Sequence, residues 1–141
     1  MREELFQKLI DEFREAANGK FDNLTIQGRQ ITRGYFIEIP LNGYPMNLLH
    51  YEIIRRYEKV SVELHFQGEN TKKSFQNCQL NDERFTWFDW FDARSIAHKV
   101  VINIDYVNIE EDAMRLVTML TEMEESLGSR FREYATKIRR R

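Results

Sequence analysis

The chain has 141 residues, with 21 Lys or Arg against 23 Asp or Glu, a net charge of −2 and a hydrophobic share of 42%. That apolar fraction excludes a disordered chain and suffices for the core of a single domain over residues 1–141. The near-neutral balance argues against a dedicated nucleic-acid binder with a globally basic face, and a single cysteine excludes a fold stapled by intrachain disulfides.

The start, Met1-Arg2-Glu3-Glu4-Leu5, is charged and amphipathic. With no run approaching the ~20 apolar residues of a membrane span, the expectation is a chain with no signal peptide and no membrane contact, located in the cytoplasm. Leu5, Phe6, Leu9, Ile10, Phe13 and Ala17 then recur at helical spacing, and Asn18-Gly19 supplies a left-handed stop. This predicts a helix of roughly four turns.

The period then changes to two. Leu24 and Ile26 predict a first strand, Gly28 a turn, and Ile31, Tyr35, Ile37 and Ile39 a second strand. Pro40 to Pro45, with Asn42-Gly43, reads as the next turn. Val60, Val62, Leu64 and Phe66 alternate strictly with Ser61, Glu63 and His65. Met46 to Tyr57 fits either a helix or a strand until it is folded back on that segment through Arg56–Lys59. Leu49 then faces Phe66, Tyr51 faces Leu64 and Ile53 faces Val62, so apolar meets apolar at every step. The hairpin is the better reading.

Asn70-Thr71 is expected to cap a short helix from Lys72 to about Gln79, with Phe75 and Cys78 inward. An aromatic strand, Phe85 to Phe91, leads through a turn at Asp92–Ser95 into the longest strand, Ile96 to Tyr106. Asn108 and Glu111 form a capping-box pattern. An apolar stripe from Ile109 through Phe131, Tyr134 and Ile138 then predicts a helix of about eight turns, with Gly128 its weak point. The order is helix, four strands, short helix, two strands, long helix. The fold class is α+β: a mostly antiparallel sheet of about six strands with an N-terminal helix and a long C-terminal helix.

Among candidate chemistry, the hairpin register sets His50 across from His65 and Glu52 across from Glu63. Two imidazoles and two carboxylates in that pattern are a ligand set for zinc or another divalent metal; the competing reading is a solvated sheet face with cross-strand charge pairs, or a face partly covered by another subunit. Asp82, Glu83, Asp89, Asp92 and Asp105 lack the spacing and the lysine of a nuclease site. Cys78 reads as a small buried residue rather than a nucleophile. The segment Phe85-Thr86-Trp87-Phe88-Asp89-Trp90-Phe91 reads as core plus protein interface, since single-strand binders interleave aromatics with Lys and Arg. Arg139-Arg140-Arg141 reads as a solvated helix end, with phosphate contact as its alternative.

Two stretches resemble an uncharacterised bacterial domain found alone or at the C-terminus of restriction-type nucleases. One is Val60-Ser61-Val62-Glu63-Leu64-His65-Phe66 followed by a helix containing Phe75. The other is Ile96–Tyr106 leading into a helix that ends Arg130-Phe131-Arg132-Glu133-Tyr134. Together they cover about half the chain, and the helix that domain carries between its strands is shorter here. The resemblance implies an accessory, non-catalytic role near nucleic-acid-processing enzymes and transfers no site residues.

The functional expectation is a small non-enzymatic protein-interaction or accessory domain, without cofactor, that forms a homodimer and has a protein partner. A helix on the order of 40 Å long exceeds a sheet of about 25–30 Å, so its far end is expected to overhang and pack on a second copy. The expected interface is Trp87, Trp90, Phe131, Tyr134 and Ile138. The alternatives are a metal-dependent enzyme using His50, Glu52, Glu63 and His65, or a nucleic-acid-processing accessory factor.

Overall fold

The computed structural model describes residues 2–27, 34–76, 81–104, 108–128 and 130–133. The expectations for Gly28, Ile31, Cys78, Asp105, Tyr134, Ile138 and Arg139–Arg141 lie outside them. Helix α1 runs Arg2–Ala17, followed by β1 Phe36–Pro40, β2 Leu49–Arg56, β3 Lys59–Gln67, α2 Glu69–Phe75, β4 Phe85–Asp89, β5 Ala93–His98, β6 Ile102–Asn103 and α3 Ile109–Met123. The strands form one antiparallel sheet in the order β1-β2-β3-β5-β4, with β6 paired to the other half of β3. The class is α+β, as the sequence predicts.

The β2–β3 register matches the apolar pairing argument at every position, with Leu49 opposite Phe66, Tyr51 opposite Leu64 and Ile53 opposite Val62. This apolar face meets Phe6, Leu9, Ile10 and Phe13 of α1 and Leu116, Leu120 and Met123 of α3 in one core. The two helices pack against each other, and α1 ends where Gly19 takes φ +73°, which costs glycine little.

Several local expectations are corrected. Leu24 and Ile26 are buried as predicted, yet only an isolated bridge, Leu24 to Leu41, forms there. Thr25 N–H donates to the Pro40 carbonyl (3.1 Å), and Pro40 has no N–H to return the bond, so the ladder stops. Among the described residues, three strands rather than four therefore precede α2. The long strand 96–106 is broken into β5 and β6, which serve different halves of β3.

The turn before β5 comes earlier than expected. Trp90 N–H donates to the Ala93 carbonyl (2.9 Å), which puts Phe91 at the tip and Ala93, Arg94 and Ser95 in the strand. Helix α2 also starts early, with Gly68 at its N-cap, φ +92° and no side-chain cap. Asn70 and Thr71 are thus inside the helix. The Asn108–Glu111 capping box does not form either: Asn108 is the N-cap of α3, but its side chain makes no cap bond.

The expected overhang is corrected at Phe131, while Tyr134 and Ile138 lie outside the described residues. α3 passes into a π-helical turn at Glu124–Gly128, which shifts the facing of the residues that follow. Leu127 is fully buried and Phe131 is 1% exposed. The Phe131 ring sits 5.1 Å from Phe66, 5.8 Å from Phe75 and 6.0 Å from Trp87. Glu124 anchors this end by accepting from Tyr51 Oη (2.7 Å) and from Arg132 (2.7 Å), and Tyr44 Oη donates to the Arg132 carbonyl (3.1 Å). Phe131 belongs to the core of its own chain and offers no surface to a second copy.

Candidate functional site

Alternation sends the polar residues of the central strands to the sheet face opposite the helices. Two rows cross that face in register. Glu38, Glu52 and Glu63 form one row over β1, β2 and β3, and Pro40, His50, His65 and Ser95 form the next over β1, β2, β3 and β5. The predicted quartet of His50, Glu52, Glu63 and His65 is thereby brought together. The face is not solvated as the competing reading supposed: all four residues are buried, His50 completely.

Burying four ionisable groups is costly unless each finds partners, and each does. His50 Nδ1 lies 2.7 Å from the Met46 carbonyl, which can only accept, so Nδ1 carries the hydrogen. Its Nε2 lies 2.9 Å from Glu52 Oε2. The same oxygen is 2.9 Å from His65 Nδ1, and His65 Nε2 is 2.9 Å from Glu63 Oε1. Glu63 Oε2 also accepts from Arg56 (2.6 Å) and from Ser61 (2.7 Å).

The charges follow from these contacts. Burial pushes the carboxyls of Glu52 and Glu63 up, but hydrogen bonds outweigh it. Those from His50 and His65 hold Glu52 at about 2, and those from His65, Arg56 and Ser61 hold Glu63 at about 2. Burial pushes the His65 imidazole down, and its bonds to Glu52 and Glu63 reverse that and carry it to about 9. The Glu52 and Glu63 carboxylates are met by the His65 imidazolium and the Arg56 guanidinium, and Glu52 also by Nε2 of His50. Chemically, such an arrangement can store a proton between two carboxylates or exchange it for a cation.

Sequence reasoning missed Glu38, whose Oε2 is 4.0 Å from His50 Nε2, as well as Arg56 and Ser61. Glu38 was legible in principle. It stands between Ile37 and Ile39, so it faces away from the core, and pairing β1 to β2 puts it beside Glu52.

The aromatic strand divides between the two faces. Trp87 packs against the core with the Arg94 guanidinium 3.7 Å above its ring. Phe88 and Trp90 are 46% and 44% exposed and Phe91 is fully exposed. The Phe88 and Trp90 rings lie 6.4 Å apart, and Trp90 Nε1 donates to Ser95 Oγ (3.0 Å). The nearby acids do not converge: Asp82 pairs with Arg84 (2.7 Å) and Asp89 with Arg94 (3.2 Å). Among the described residues, no helix is long and apolar enough to cross a membrane.

Comparison with protein-family models, with curated proteins and with solved structures finds no match.

Proposed function

We propose that the chain is a protein-interaction domain that forms a homodimer by pairing β4 with β4 of a second copy. The reading rests on the edge of that strand. Lys99 N–H donates to the Arg84 carbonyl (2.8 Å) and Trp90 N–H to the Ala93 carbonyl (2.9 Å), so even-numbered residues turn their backbone groups toward β5. Strand alternation then points the N–H and C=O of Trp87 and Asp89 away from β5, and β4 is the last strand of the sheet among the described residues. An edge without Lys, Pro or a bulge is a template for another strand.

A second copy fits because the edge is self-complementary. With the twofold axis at Phe88, Trp87 of one copy and Asp89 of the other exchange both backbone hydrogen bonds, twice over. Phe88 then faces Phe88 of the other copy beside Trp90, removing exposed aromatic surface from water. On this reading Trp87 and Trp90 keep their place at the interface and Phe131 leaves it. The experiment is sedimentation of the wild type and Asp89→Pro. Proline removes one outward N–H and no backbone bond to β5, along with the Asp89–Arg94 ion pair. A monomeric variant with an unchanged far-UV CD spectrum, set beside an Asp89→Asn control that loses the ion pair alone and stays dimeric, supports the dimer. A monomeric wild type at tens of micromolar ends it.

A further inference from the structure

We propose that Nε2 of His50, Oε2 of Glu52 and Nδ1 of His65 form a binding site for a divalent transition metal of the zinc class. One ligand atom from each of these residues lies within 4.8 Å of the others, and the site is independent of the β4 edge.

Three observations carry it. The first is the orientation of the rings. His50 holds its hydrogen on Nδ1 against the Met46 carbonyl (2.7 Å), and Nε2 is the nitrogen left for a ligand. Glu63 Oε1 accepts from His65 Nε2 (2.9 Å), leaving Nδ1 for the same purpose. A backbone carbonyl on one imidazole and a carboxylate on the other are the outer contacts that aim metal-binding histidines. Glu63, held by Arg56 and Ser61, is a positioning residue here rather than a ligand.

The second is convergence. These two nitrogens both meet one carboxylate oxygen, Glu52 Oε2, each at 2.9 Å, so a metal would replace the protons they share with it. A tetrahedral metal with bonds of about 2.0–2.1 Å holds its donors about 3.3 Å apart. The two N···O separations need to open by only a few tenths of an ångström, and the N···N separation, within 4.8 Å, needs to settle at the same value, adjustments within the reach of side-chain torsions.

The third is the charge row. Glu38, Glu52 and Glu63 stand directly opposite one another on three adjacent strands, an arrangement that repels unless cations intervene. Glu38 Oε2, 4.0 Å from His50 Nε2 and only partly buried, is placed to supply the fourth ligand or to hold a water there. The imidazole and carboxylate donors suit zinc and its neighbours rather than calcium, which prefers oxygen alone.

The test uses the full chain, stripped with a chelator, and Co2+ or Zn2+ alone as the probe. The expected result is one equivalent of Co2+ with the visible absorption of a four-coordinate site, displaced by Zn2+. His50→Gln and His65→Gln should each weaken binding at least ~100-fold, and Glu63→Gln ~10- to 100-fold. Should a variant fail to fold, the wild type still decides through its ring 15N resonances. Zn2+ must shift His50 and His65, while His98, on the apolar face opposite Phe85, stays put. A wild type that binds neither metal, variants that bind as tightly as the wild type, or shifts confined to His98 would each overturn the site.

Discussion

Glu52 Oε2 and His65 Nδ1 lie 2.9 Å apart across the β2–β3 ladder, and this contact joins the two halves of the buried polar network. Its energetics have a definite sign with pH. His65 in the folded chain titrates at about 9 against an ordinary 6.5. Its contribution is therefore complete below about 6.5 and is lost as pH rises through 9. Glu52 and Glu63 titrate at about 2 against an ordinary 4.5. Their contribution is complete above 4.5 and is lost as pH falls through 2. The metal-free protein should show a flat urea midpoint between those limits and a decline on both sides. His65→Gln should flatten the alkaline limb, and an unchanged limb would show that the imidazolium contributes nothing there.

Glu63→Ala should destabilise the chain by about 3 kcal/mol, because it leaves the His65 imidazolium and Arg56 without their shared carboxylate. Ser61→Ala, which removes one hydrogen bond to the same carboxylate, should cost about 1 kcal/mol. Urea denaturation separates the two. Equal losses would mean that Glu63 acts through packing rather than charge.

Phe131→Ala should cost about 3–5 kcal/mol, the value for truncating a buried aromatic. Its ring closes a cluster with Phe66, Phe75 and Trp87. Thermal unfolding of the variant should show the loss, while its sedimentation coefficient at low temperature should match the wild type. A shift in assembly without a loss of stability would return Phe131 to an interface.

Most of the sheet was legible because the signals were local and periodic. Strict alternation at Val60–Phe66, combined with the requirement that apolar residues meet, fixed the hairpin register and with it the positions of His50, Glu52, Glu63 and His65. The misses have separate physical causes. The strand at Leu24–Ile26 has the right pattern, but its partner there is Pro40, which cannot return a hydrogen bond. The break between β5 and β6 is a matter of which half of β3 each piece serves, and no periodicity encodes that. The overhang of the last helix follows from its apolar stripe and its length against the width of the sheet, neither of which reports a local change of helix type. A π-helical turn, tied by Glu124 to Tyr51 and Arg132, seats Phe131 in the core.

Phe88→Ser with Trp90→Ser should lower the tendency to dimerise by at least ~10-fold in Kd while leaving the monomer fold intact, since both side chains are about half exposed in the single chain. Analytical ultracentrifugation over a concentration series measures it. An unchanged Kd would detach the aromatics from the interface.

The self-association reading is tested most directly by amide hydrogen exchange at Trp87 and Asp89, followed by NMR as protein concentration is raised. In a single chain both N–H groups face solvent from the edge of β4 and should exchange quickly. The account predicts that their protection rises with concentration, together and by the same factor, while the amide of Trp90, bonded to Ala93 within the chain, stays protected throughout. Rapid exchange at Trp87 and Asp89 at every concentration at which a dimer is present would contradict it.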